Sequence, residues 1–152
     1  MKVEDLMIGD WVCLEDENLP LEERYFKIEY IAISAGVSWV NQGTNAPIGL
    51  GDGESLIPVF TDEIYPIPLT PEILKKNGFV NSYIDLSLNK DSVYKYNHFY
   101  SGNSVIVDME SNKLIVKYEN DIWMNLPYSR TIYVHELQHV LKHCDIKKEI
   151  II

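Results

Sequence analysis

From Tyr128 to Cys144 the chain runs without Pro or Gly, and its apolar residues recur at helical spacing. At about 100° per residue, Tyr133, Val134, Leu137, Val140, Leu141 and Cys144 gather on one arc. His135, His139 and His143 gather nearly opposite, flanked by Glu136, Gln138 and Lys142. The pattern predicts one long C-terminal amphipathic helix whose apolar stripe must be buried against another layer. Most of the preceding chain reads as short apolar segments punctuated by Gly, Pro and Asn, which predicts strands. A chain built this way is expected to be α+β, with mostly antiparallel β.

The strands divide into two groups. Gly9-Asp10 is a turn signal followed by an alternating segment, Trp11 to Leu14, and small SH3-like barrels often begin this way. Tyr25 to Ser34 reads as a second strand and Val37 to Val40 as a short third. Asn41 to Ser55 is rich in Gly, Asn and Pro and reads as a loop. Leu56 to Leu69 is extended, with Pro58, Pro66 and Pro68 confining it to an edge. Thr70 to Gly78 then has the signals of a short helix: Thr70 as N-cap, Pro71 at the first position, Glu72 in the first turn and Gly78 as the stop. Beyond it, Phe79 to Leu88 and Ser92 to Tyr100 read as strands, and Ser104 to Met109 with Lys113 to Glu119 as a hairpin across Glu110-Ser111-Asn112. Asp121 to Pro127 is expected to lead into the final helix, and Glu149 to Ile152 to form a last strand. The predicted plan is an SH3-like, barrel-type sheet over 1–69, a linking helix over 70–78, and an antiparallel sheet with the long helix over 79–152. A single domain over 1–152 is the alternative.

His135-Glu136-Leu137-Gln138-His139 matches H-E-x-x-H, the signature of zinc-dependent proteases. On a helix the two His share a face and could grip one Zn²⁺, while Glu136 would activate a bound water as general base. A catalytic zinc also needs a third protein ligand. No Gly and third His follow at the metzincin spacing, and too little chain remains downstream for the second helix from which gluzincins take a Glu. His143 lies one further turn along, and each such step rises about 6 Å, too far for three ligands on one straight helix to meet one ion. An upstream ligand, such as His98, is the remaining source. The competing reading is a solvated, His-rich polar face, able to hold a divalent ion adventitiously or to gain charge as pH falls through about 6.5.

The charge narrows the field further. Asp and Glu number 23 against 13 Lys and Arg, a net −10, which repels phosphate backbones and argues against nucleic-acid binding. Acidity of this degree fits solubility, a basic partner, or mimicry of a nucleic acid's charge. Gly49-Leu50-Gly51-Asp52-Gly53 lacks the Lys and the following helix of a phosphate loop, and its carboxylates lack EF-hand spacing. Cys13 and Cys144, without metal-ligand spacing, read as free core thiols. No signal-like or membrane-spanning segment is apparent, so a cytoplasmic protein away from membranes is expected.

Three blocks carry a resemblance: Asp5-Leu6-Met7-Ile8-Gly9-Asp10-Trp11-Val12, Pro66-Ile67-Pro68-Leu69-Thr70-Pro71-Glu72-Ile73-Leu74-Lys75-Lys76-Asn77-Gly78-Phe79, and Tyr133-Val134-His135-Glu136-Leu137-Gln138-His139. The chain resembles a group of short uncharacterised proteins of gut anaerobes and their prophages. That resemblance implies a mobile-element accessory, and it implies that His or Asn serves at the position of His139. The expected function is a small non-enzymatic protein-interaction module with an unidentified protein partner, and with no catalytic residue, cofactor or metal. The alternative is a zinc-dependent hydrolase using His135, Glu136 and His139.

Overall fold

A computed structural model describes residues 6–20, 23–31, 48–51, 56–81, 92–98, 102–119, 123–128 and 130–152. The chain divides into two compact units, Met1–Ile67 and Pro68–Ile152. The architecture is α+β, with mostly antiparallel strands in two sheets and two helices.

In the first unit, β1 (Trp11–Leu14), β2 (Tyr25–Ile31), β3 (Ile48–Gly51), β4 (Leu56–Val59) and β5 (Ile64–Pro66) form one sheet in the order β4-β3-β2-β1-β5. The chain meanders through four strands, and the fifth returns to the free side of the first. The Gly9-Asp10 turn sets this up. Gly9 takes φ +93, and the Asp10 carboxylate accepts the Met7 N–H at 2.7 Å. Val12 of β1 faces Phe26 of β2, and Ile28 faces Leu50 of β3. These inward rows place Val12, Ile28, Ile48, Leu50, Val59 and Ile64 in one buried cluster.

β3 lies inside the segment expected to be a loop. Its glycines hid it, because Gly is depleted in strands and contributes no side chain to an alternating pattern. β3 is buried at all four positions, and the Glu29 carboxyl lies where a Cβ on Gly51 would stand. The β2–β3 register skips between Ile28 and Tyr30, which leaves Glu29 as the extra residue of a bulge. The expected strand over Val37 to Val40 lies outside the described residues.

The second unit holds α1 (Pro71–Lys76), β6 (Val80–Asn81), β7 (Val93–Asn97), β8 (Ser104–Asp108), β9 (Lys113–Lys117), β10 (Trp123–Pro127) and α2 (Val134–His143). Its sheet runs β10-β9-β8-β7-β6, every pair antiparallel. β8 is central and buried at all five positions. α1 starts as its sequence predicts: the Thr70 hydroxyl accepts the Ile73 N–H at 3.3 Å and Pro71 opens the helix. It belongs to this unit rather than standing between the two. The β8–β9 hairpin is also as expected. Asp108 Oδ1 accepts the N–H groups of Glu110 and Ser111, and Asn112 takes φ +50 to close the turn.

Three expectations are corrected in this unit. Residues 123–127 are not a lead-in but a full edge strand, paired with β9 from Trp123↔Lys117 to Pro127↔Lys113. The long helix from Tyr128 is a ten-residue helix from Val134. Tyr128 still extends the sheet, its N–H donating to Asn112 O at 2.8 Å. Ile132 accepts from Leu69 N–H at 2.9 Å, and Tyr133 forms a bridge with Pro68. Backbone partners elsewhere in the chain thus hold Tyr128, Ile132 and Tyr133 outside the helix, a pull that helical spacing does not encode. Finally, Glu149 to Ile152 is not a strand. The Asn77 side chain takes the place of a neighbouring strand there: its amide nitrogen donates to Ile151 O at 2.7 Å and its oxygen accepts Ile151 N–H at 2.9 Å. Among the described residues, no helix is long and apolar enough to cross a membrane.

Candidate functional site

The H-E-x-x-H segment lies at the very start of α2. Tyr133 is the N-cap, with extended φ −106 and ψ 160, so Val134, His135 and Glu136 are the first three helical residues. The first turn has backbone N–H groups without helical partners, and a Glu at the third position can reach back to one of them. Glu136 does so, accepting the Tyr133 N–H at 2.8 Å. Its two oxygens also take the Arg130 guanidinium, at 2.9 and 3.3 Å. Glu136 is therefore a helix-start residue, accepting three hydrogen bonds from Tyr133 and Arg130.

The rings above it form a column. The Arg130 guanidinium carbon lies 4.4 Å from the Tyr133 ring centroid. Tyr133 stacks on His135 with centroids 5.9 Å apart and planes at 12°, and His135 meets His139 edge-on at 5.8 Å. His135 is only 5% exposed, so the expected solvated His face is overturned at its first member. Tyr133 covers it, reaching forward from the extended residue that caps the helix. His139 is half-buried, and His143 is exposed along with Lys142.

The separation of His135 and His139 is permissive for a shared ion, since nitrogens about 2.0–2.1 Å from one tetrahedral zinc bring ring centres to roughly this spacing. What the site lacks is company. Among the described residues, no three His, Cys, Asp or Glu side chains are grouped so that they could hold a metal ion. Below the column, burial pushes the Tyr128 phenol up from its ordinary value, the Glu136 charge adds to the rise, and Arg130 opposes it. At the other end of the helix Cys144 is buried and free, and burial raises its thiol against a hydrogen bond with Tyr118.

Arg130 and Tyr133 are the residues that motif reading missed. The available signal was Glu136 itself, three residues after an extended Tyr, which is the spacing of a capping box. Compared with protein-family models, with curated proteins and with solved structures, the chain matches none.

Proposed function

We propose that this chain is a small non-enzymatic protein-interaction module, carried as a mobile-element accessory, with an SH3-like barrel as its first unit. The observation that carries the reading is where large apolar side chains meet solvent. Among the described residues, Met7, Ile8, Ile57, Phe60 and Tyr65 on the first unit are exposed, against Val80 and Ile151 on the second. Contiguous exposed apolar surface is the usual mark of a docking face, and the larger share of exposed apolar side chains on the first unit supports placing one there. The strand order β5-β1-β2-β3-β4 is the order an SH3-like meander takes, and it supports that part of the reading.

The alternative is a zinc-dependent hydrolase with His135 and His139 as ligands and Glu136 as base. A general base must present its carboxylate to a metal-bound water. The occupation of Glu136 by Tyr133 and Arg130 favours the interaction reading over it. The test has two arms on the full chain. Affinity capture from cells that carry the gene, with wild type beside Phe60→Ala/Tyr65→Ala, is expected to recover a partner that the variant loses. Recovery of no partner that distinguishes the two would count against the module. Elemental analysis of untagged protein beside His139→Ala addresses the hydrolase: one zinc per chain, lost in the variant, would replace the module reading.

A further inference from the structure

Charge is divided very unevenly between the two units. Residues 1–67 contain thirteen Asp and Glu against three Lys and Arg, whereas residues 68–152 contain ten of each. The first unit alone therefore carries the net −10 of the whole chain. It is also the unit that exposes most of the large apolar side chains.

The two properties meet at one end of its sheet. Tyr65 of β5 and Tyr25 of β2 flank Cys13 of β1 in one cross-strand row, on the face opposite Val12. In the next row of that face, Trp11 lies opposite Lys27, whose ammonium is 5.1 Å from the Trp11 ring centroid. This face already seats one cation on an aromatic ring. At its β5 edge, the Tyr65 hydroxyl donates to Glu15 at 2.7 Å, and the Glu15 N–H donates to Glu63 O at 2.9 Å. The Glu63 carboxylate accepts the Phe60 N–H at 2.6 Å. Phe60 and Tyr65 are 47% and 46% exposed. The Glu15 hydrogen bond raises the Tyr65 phenol first, desolvation second, and the charges of Glu15 and Asp62 add to it, so negative charge stands beside the ring. The described cations of the unit lie toward the β1–β2 side of this face, Lys27 over Trp11 and Arg24 near Cys13 while donating to Leu19 O at 2.7 Å, so the carboxylates of Glu15, Asp62 and Glu63 set the charge at the β5 edge.

Building on the interaction-module reading, we infer that the outward face of β5 and β1, with the Phe60–Glu63 turn, docks a Lys- or Arg-bearing segment of a basic protein. Exposed rings receive the cation and the aliphatic stem behind it. The carboxylate rim steers encounter and makes the association sensitive to salt. A second copy of the chain is a poorer fit, because its other unit is neutral overall and its first unit repels.

The probe is a fluorescently labelled Lys/Gly peptide titrated against full-length protein, with a Glu/Gly peptide as control. The Lys/Gly peptide is expected to bind at low salt and the control not to bind. Phe60→Ala/Tyr65→Ala is expected to weaken binding about tenfold, the loss of two ring contacts. Glu110→Gln/Glu149→Gln, which removes two carboxylate charges from the second unit, should leave binding within about twofold. Circular dichroism confirms that each variant folds. Absence of Lys/Gly binding, or an equal loss in both variants, overturns the inference. So does a dimer in sedimentation velocity that Phe60→Ala/Tyr65→Ala dissolves, because the occupant is then a second copy. Capture of a partner without a basic segment, together with no peptide binding, sinks this inference and leaves the module reading standing. Failure of capture sinks that reading itself.

Discussion

At the start of α2, Glu136 has two kinds of partner, and magnitudes separate them. The Arg130 side chain is 53% exposed, so its ion pair contributes at most about 1 kcal/mol. The bond to the Tyr133 N–H caps a helix and is typically worth about 1 kcal/mol. Glu136→Ala removes both and is expected to cost about 1–2 kcal/mol in urea unfolding, whereas Glu136→Gln keeps an accepting oxygen and should cost less than about 1 kcal/mol. An unchanged midpoint for Glu136→Ala would remove the capping role. Tyr128, beside it, gives a pH signature. Burial first, and then Glu136, raise its folded phenol above the ordinary value near 10 that it has when unfolded. Between those two values the folded state holds the proton and the unfolded state does not. The stabilisation is therefore fully present below about pH 10 and is lost as pH rises through the folded value. Tyr128→Phe is expected to reduce the alkaline fall in unfolding free energy. Tyr65 and Tyr118, also raised, keep it from vanishing. An identical alkaline slope in wild type and variant would contradict the environment assigned to Tyr128.

Between elements, the buried Asn77 at the end of α1 ties the C-terminal tail to the helix. Its side chain donates to Ile73 O at 2.8 Å and to Ile151 O at 2.7 Å, and it accepts Ile151 N–H at 2.9 Å. Asn77→Ala removes two hydrogen bonds to the part-buried Ile151 backbone and one to Ile73 O and is expected to cost about 1–2 kcal/mol. Hydrogen exchange reads the same bond locally: the Ile151 amide should lose its protection in the variant, and retained protection would show that something other than Asn77 holds the tail. Elements whose signals are local were legible in the sequence. Thr70, Pro71 and Gly78 bracket α1, and the turn residues after Asp108 mark the β8–β9 hairpin. Elements that depend on distant partners were not. β3 is a strand because β2 and β4 pair with it on either side, although its own glycines argue otherwise. The start of α2 is set by Pro68 and Leu69, far away in sequence. For the same reason the H-E-x-x-H motif could be located but not interpreted: the burial of His135 and the engagement of Glu136 both depend on a helix boundary that periodicity misplaced by six residues, Tyr128 against Val134.

For the whole molecule, the division of charge has a physical consequence that needs no partner. Thirteen carboxylates against three cations within residues 1–67 repel one another, and self-repulsion weakens a compact state. The range of that repulsion is set by salt: the Debye length is about 30 Å at 0.01 M and about 3 Å at 1 M. At low ionic strength most charges of the unit interact with one another, and at high ionic strength only neighbours do. The second unit, with ten charges of each sign, has no net term to screen. Added chloride should therefore raise the stability of the first unit and leave the second nearly unchanged. Hydrogen exchange separates them in one sample, through the amides of the β2–β3 ladder and those of the β8–β9 ladder. Protection is expected to grow in the first ladder as salt rises from about 0.01 M to 0.5 M, with little change in the second. A neutral osmolyte serves as control, since exclusion from surface stabilises both units regardless of charge. Parallel gains in both ladders with salt would mean that the acidity is already compensated within the first unit, and the rim of Glu15, Asp62 and Glu63 would then lose the uncompensated field that recruits a basic partner.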